Sequence, residues 1–230
     1  DAEQLGEENE QLLRRVGGHF FEDSLECHAA SIFWAHDLLE SFSERFGYRL
    51  EPLLPLLFVQ GMARFWVPVD PPVADFELER TCAEDVHGAG VRADYYSLLD
   101  DLYARRHLQV LSRWAQRRGR RLRCQPAYGL SLNVSRAARE AVRAGALVEV
   151  ESLNAGGWGG DGETLPLDVE GTFWRFALDH YRSMVSGAHQ AGQNAVTSEL
   201  GAAGRPFALT LAEYKGLVDN QWAAGVTTPI

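Results

Sequence analysis

The sequence predicts an α/β fold built on parallel strands, and three observations carry that prediction. From residue 120 onward, short strand-like runs alternate with helix-period segments as strand, helix, strand, helix, strand, helix, strand. Such alternation joins parallel strands through helical crossovers. The helical stripes end at glycines (Gly47, Gly119, Gly145, Gly192), which mark where each helix hands over to a connection. No G-x-G-x-x-G follows any strand, which weakens a dinucleotide-binding sheet. A (β/α) barrel and an open doubly wound sheet both fit this alternation.

In chain order, Asp1 to Arg15 is a charged helix without the apolar core of a signal peptide. Gly18–Phe21 is the first strand. Ile32, Ala35, Leu39, Phe42 and Phe46 recur at helical spacing, and Gly47 stops them. Pro52 to Pro72 carries five prolines among apolar and aromatic residues and is expected to be a packed excursion. Asp94 opens a long helix with Tyr95, Leu98, Leu99, Leu102, Leu111, Trp114 and Ala115 on one face. Leu122–Gln125 is the second strand, and Ser135 caps a short helix bearing Ala138 and Val142. Ala146–Val150 is the third strand, followed by a glycine-rich loop, Asn154 to Pro166, around Trp158. Phe173, Ala177, Tyr181, Met184, Ala188 and Ala191 stripe the next helix. Asn194–Thr197 is the fourth strand. Thr210 and Glu213 have capping-box spacing, with Leu209 and Tyr214 as its staple, for a helix running to about Ala224. Val226–Ile230 is the last strand.

Composition sets the outer limits. With 230 residues, 46% of them hydrophobic, the chain can bury a substantial core, and disorder and disulfide miniproteins are excluded. No run reaches the roughly 18 apolar residues of a membrane helix. A net charge of −10 argues against nucleic acid as a partner. The Arg-rich stretch Arg113 to Arg123 is expected to be a solvated helix end. Cys27, Cys82 and Cys124 form neither a zinc frame nor a disulfide frame and are expected to be buried thiols. Five strands fall short of the eight of a closed barrel, which typically takes about 250 residues. Residues 1–230 are therefore expected to be the central part of a single barrel domain, about five to six βα units. The remaining barrel strands and accessory domains of the parent chain would complete it. An incomplete barrel exposes two sheet edges, so the isolated chain is expected to aggregate.

In parallel α/β sheets, functional groups collect at the C-terminal ends of strands. The first strand ends in Glu22-Asp23-Ser24-Leu25-Glu26, the second in Gln125-Pro126-Ala127-Tyr128, the third in Glu149-Val150-Glu151, the fourth in Thr197-Ser198-Glu199. Three of the four thus bring carboxylates toward one rim. Glu199 follows an apolar run, and a carboxylate there is costly unless it is paired or used. Glu149 and Glu151 share one side of their strand because side chains alternate; one of them can be structural. Paired carboxylates suit glycoside hydrolysis, one as acid on the leaving oxygen, the other as base or nucleophile. Tyr128, Trp158 and Trp174 could stack on sugar faces or simply pack. The same carboxylates could bind Ca²⁺, a hard, oxygen-seeking ion. His19 lies on a strand and could face rim or core, whereas His180 and His189 lie in a helical stripe. Neither a zinc H-x-x-x-H pair nor a G-x-S-x-G elbow occurs.

Phe20-Phe21-Glu22-Asp23-Ser24-Leu25-Glu26, then Phe46-Gly47-Tyr48 with Leu54-Pro55, resemble the early barrel region of glycoside hydrolase family 106, the α-L-rhamnosidases. Asp94-Tyr95-Tyr96 through Trp114-Ala115 to Gln125-Pro126-Ala127-Tyr128-Gly129 is similar too. So is Ser186-Gly187-Ala188-His189 followed by Thr197-Ser198-Glu199-Leu200-Gly201. The ordered set covers most of residues 16 to 229. The resemblance implies a partial (β/α)8 TIM-type barrel, an inverting mechanism, a calcium-assisted site and terminal α-L-rhamnose as substrate. Glu199 with Glu149 or Glu151 would be catalytic, and Glu26, Asp23, Gln125, Tyr128 and Trp158 would contact the sugar. The parent protein would be secreted or periplasmic. The chain departs from the family pattern in Val150, between the two glutamates, and in an extra Ala127 between Pro126 and Tyr128. Val150 keeps open a carbohydrate-binding barrel without turnover, and a glycosidase for a different sugar is the other alternative.

Overall fold

The computed structural model describes residues 6–23, 25, 32–60, 63–64, 67–68, 73–74, 88–126, 132–153, 172–202 and 210–229. Along the chain run helix α1 (Gly6–Val16), strand β1 (Phe20–Glu22), helix α2 (Leu38–Phe46) and a 3₁₀ helix, Glu51–Leu57. Four two-residue strands follow: β2 (Val59–Gln60), β3 (Ala63–Arg64), β4 (Val67–Pro68) and β5 (Val73–Ala74). Helix α3 (Gly88–Tyr103) leads through a π-helical segment, Ala104–Leu108, into α4 (Gln109–Arg117). Then come β6 (Leu122–Cys124), α5 (Val134–Arg143), β7 (Leu147–Leu153), α6 (Thr172–Gln190), β8 (Thr197–Ala202), α7 (Leu211–Ala224) and β9 (Thr228–Pro229).

Two compact units divide these elements. The first takes residues 1–24, 104–126 and 134–230 and contains a five-stranded sheet in the order β1-β6-β7-β8-β9. Every pairing in it is parallel. Each strand adds beside its predecessor, so the order never reverses as it does in a doubly wound sheet. Helix α5 packs on α6 and α6 on α7, while α4, α5, α6 and α7 lie against β6, β7, β7 and β8 in turn. This is the α/β fold expected, as an open, partial barrel-like sheet rather than a closed eight-stranded barrel.

The α5–α6 contact is close because Gly187 has no side chain. A Cβ there would collide with the Ser135 carbonyl oxygen and come within 2.8 Å of its carbon. Val148 and Val150 of β7 and Cys124 of β6 have no exposed surface and form the core beneath the helices with Ala138, Ala141, Met184 and Ala188.

The second unit takes residues 25–103 and 127–133. Leu38, Phe42, Leu50, Val91, Tyr95 and Leu98 form its buried centre. Phe42 packs edge-on to Tyr48, whose hydroxyl donates to Asp94 at 2.7 Å. Burial, with Asp94 adding, drives the Tyr48 phenol pKa far up. Arg45 pairs with Asp101. Among the described residues from Pro52 to Ala74 are the 3₁₀ helix and the antiparallel pairs β2–β5 and β3–β4, a strand content the prolines concealed.

Several boundaries differ from those predicted. The α2 helix begins at Leu38, not Ile32, because the Phe33 carbonyl accepts the Tyr95 hydroxyl at 2.6 Å. Helix α3 starts six residues before Asp94, which lies inside it as the partner of Tyr48. The π-helical segment, invisible in the heptad pattern, inserts an extra residue per turn between Tyr103 and Gln109. Leu98 and Leu102 before it are buried in the second unit, and Leu108 and Ala115 in the first. Helix α5 starts at Val134, one residue before Ser135. Strand β8 starts at Thr197 rather than Asn194. The Gln193 amide spans from the Val148 N–H (3.1 Å) to the Ala195 carbonyl (2.6 Å) and turns the chain there.

The Arg-rich stretch is engaged internally rather than merely solvated. Arg118 stacks on Trp114 at 4.3 Å and pairs with Glu10, and Arg120 donates to the Leu13 carbonyl at 2.8 Å and to that of Arg14. Cations thus satisfy the carbonyl end of α1. Cys124 is a buried free thiol, pushed up by burial first and by Glu22 and Glu149 after it. Cys27 and Cys82 lie outside the described residues. No described helix is long and apolar enough to cross a membrane.

Candidate functional site

Strand register decides which side chains can meet. In the first unit Phe20, Leu122 and Cys124 share one face of the sheet, and Phe20 stacks on Trp114 of α4 at 4.5 Å. That face is the helix side. Alternation places Val148 and Val150 there as well. The opposite face carries Phe21, Arg123, Glu149, Glu151, Thr197 and Glu199, because Phe21 pairs with Arg123, Glu149 with Thr197, and Glu151 with Glu199. The Arg123 guanidinium lies over the Phe21 ring at 5.0 Å, which confirms the assignment of that face.

The three glutamates occupy different environments. Glu149 is 2% exposed. One of its oxygens accepts the Thr197 hydroxyl at 2.8 Å and pairs with Arg123 Nε at 3.2 Å. Those partners come from the strands on either side, so Glu149 holds the centre of the sheet together. Glu151 lies two residues on, half-buried, at the C-terminal end of β7, where the ladder to β8 becomes irregular. Its neighbour in register is Glu199, which is exposed. Glu199 accepts the side-chain Nε2–H of Gln125 at 3.0 Å. Gln125 itself is fully buried just past the end of β6. Its Oε1 is also buried and has no hydrogen-bond partner among the described residues.

Two further groups border the site. Tyr181 of α6 is buried, and burial pushes its phenol up to about 12, with the Glu151 charge adding to the effect. Gly201 follows Glu199 by two residues with a φ of +79°, a left-handed conformation that suits glycine. A Cβ on Gly201 would also meet the Tyr214 ring carbon Cζ at 2.8 Å.

The structure therefore brings together Gln125, Glu149, Glu151 and Glu199 on one side of the sheet. Glu22 of the first strand lies on the other face. Glu22 is in register with Cys124 on the helix side and pairs with His107 of the π-helical segment. Strands β7 and β8 bring carboxylates to one face, as expected. Asp23 is described and exposed, and it has a partner of its own. Glu26, Tyr128 and Trp158 lie outside the described residues, as does the side chain of Trp174. His19 sits at the N-terminal end of β1, where its Nδ1 accepts the Arg121 N–H at 3.4 Å, at the opposite end of the strand from the rim. Arg123 and Thr197 were not singled out in the sequence. The signal was present, since both share the strand parity of the glutamates. Among the described residues, no group of three or more His, Cys, Asp or Glu side chains is arranged to hold a metal ion.

Neither a protein-family model nor a curated protein matches this chain.

Proposed function

We propose that this sheet is the catalytic face of a glycoside hydrolase of barrel type, acting on terminal α-L-rhamnosides. The observation that carries the reading is the Glu151–Glu199 pair, two carboxylates in register on adjacent parallel strands, with Glu151 two residues before the end of β7 and Glu199 third in β8. Glycosidic hydrolysis uses such a pair, one carboxyl protonating the leaving oxygen while the other activates water or attacks the sugar. Glu149 is reserved by Arg123 and Thr197 and takes the structural role. The choice of rhamnose, and of inversion, rests on the resemblance of the strand-end motifs.

The finer architecture belongs to the same proposal. Gln125 reaches Glu199 across the whole of β7, from a strand two positions away. In eight-stranded barrels, interior layers are built from alternate strands, and this contact has that pattern. We assign the chain to a (β/α)8 barrel whose remaining strands lie elsewhere in the parent protein. Val150, the feature that keeps a non-catalytic binding barrel open, has its side chain fully buried on the helix side, on the face opposite Glu149 and Glu151. Calcium is implied by the resemblance alone. The described residues supply no donor cluster for it, so no step is assigned to an ion.

The test is hydrolysis of a panel of aryl glycosides by the full-length protein. Release from the α-L-rhamnoside alone supports the proposal. Release from another sugar keeps the carboxylate chemistry and overturns the substrate. Sugar binding without turnover for every member favours a binding module.

A further inference from the structure

We infer that Gln125 is a positioning and specificity-determining residue: its amide orients Glu199 and fixes beside it a buried acceptor that a ligand hydroxyl must meet. The inference rests on the carbohydrate reading of the Glu151–Glu199 face and deepens it. Three observations carry it. Gln125 is fully buried, its Nε2 lies 3.0 Å from the Glu199 carboxylate, and its Oε1 is buried without a partner among the described residues.

The amide has one favourable orientation. With Glu199 as the base of the pair, its carboxylate offers only acceptors, so the NH₂ end turns to it. Flipping the amide would place oxygen against oxygen. Oε1 is therefore locked away from Glu199 as an acceptor with no donor. A buried acceptor left unpaired is destabilising, and that cost is recovered when a donor arrives. We assign that donor to the ligand, next to the carboxylate that acts on it. A sugar hydroxyl fits, because it can donate to Oε1 while its own oxygen stays free to accept. An analogue lacking that hydroxyl leaves Oε1 unpaired in the complex and is rejected.

Gln125→Glu places a second carboxylate against Glu199, and two adjoining carboxylates cannot both ionise freely. The acid limb of the kcat/KM pH profile should move upward by about one pH unit or more. Gln125→Met keeps the volume and removes both amide atoms. The full-length wild type should discriminate against one member of a set of monodeoxy aryl glycosides by about 100-fold or more in kcat/KM. Gln125→Met should lose most of that discrimination. Binding of the free sugar and its deoxy analogues, followed by calorimetry, supplies a readout independent of turnover. Thermal unfolding of each variant separates a local effect from loss of fold.

The outcomes divide cleanly. Discrimination that disappears in Gln125→Met, with the upward limb in Gln125→Glu, bears out the inference. Turnover with unchanged discrimination and an unchanged limb overturns it and leaves the glycosidase proposal standing. Sugar binding without turnover, but with a deoxy preference that Gln125→Met abolishes, overturns hydrolysis and keeps Gln125 as the specificity residue. Neither binding nor turnover by the folded wild type overturns both.

Discussion

Glu151 and Glu199 stand side by side as register partners on β7 and β8, while Glu149, one pleat earlier on the same face, is enclosed by Arg123 and Thr197. Two glutamates of one strand thus have separate roles. The proposed mechanism assigns the chemistry to the outer one, and the inner one is held by Arg123 and Thr197.

That division predicts opposite phenotypes. Glu151→Gln should cost turnover, on the order of 10²–10⁴-fold in kcat, with thermal unfolding unchanged. Glu149→Ala should instead cost stability. It strips the partner from Arg123 and from the Thr197 hydroxyl at the sheet centre. A loss of about 1–3 kcal/mol is expected, below that of a fully buried pair because Arg123 is partly exposed. Urea unfolding of the two variants checks this directly.

Gly187→Ala should be among the most damaging single-methyl additions in the first unit. Its Cβ would strike the Ser135 backbone rather than a side chain able to swing aside. Helices α5 and α6 would have to separate, at a cost of about 1–3 kcal/mol. A midpoint shift in denaturant unfolding without a change in slope would show it. An unchanged midpoint would mean that the helices are not in this contact.

The Glu22–His107 pair should make stability pH-dependent. The hydrogen bond to Glu22 raises the His107 pKa above its usual value, with burial opposing. A raised folded-state value means that protonated His107 contributes fully below about pH 6.5, its unfolded value. That contribution disappears as pH rises through the folded value. Thermal midpoints should therefore fall more steeply as pH rises above about 6.5 in wild type than in His107→Asn. Parallel curves for the two proteins would remove the pair from the account.

Gly201→Ala should impair Glu199 without touching it. The left-handed φ at Gly201 is unfavourable for alanine, and the new methyl would press on Tyr214. Lower kcat at nearly unchanged substrate affinity is expected, since the substitution displaces a reacting group. An increase in KM alone would place Gly201 in binding instead.

Much of this fold was legible because parallel α/β order is written in alternation. The strands ending near Phe21, Cys124 and Val150 lay within a few residues of their predicted limits, and glycine did mark helix ends, as at Gly47. What escaped depended on partners distant in sequence. Tyr95 reaches 62 residues back to Phe33 and delays α2, and no local pattern announces that. The π-helical turn adds a residue without changing composition. The β2–β5 and β3–β4 pairs hid behind prolines, which local propensity counts against strands. At the site, parity placed Glu149 and Glu151 on one face. Separating their roles required knowing that Arg123 and Thr197 flank only the first.

The most direct measurement is turnover of an aryl α-L-rhamnoside by full-length wild type, Glu199→Gln and Glu151→Gln, each first shown to be folded. The account predicts release by wild type and a loss of about two to four orders of magnitude in each variant. Wild-type release that persists undiminished in both variants would contradict the pairing of Glu151 with Glu199 as the reacting carboxylates.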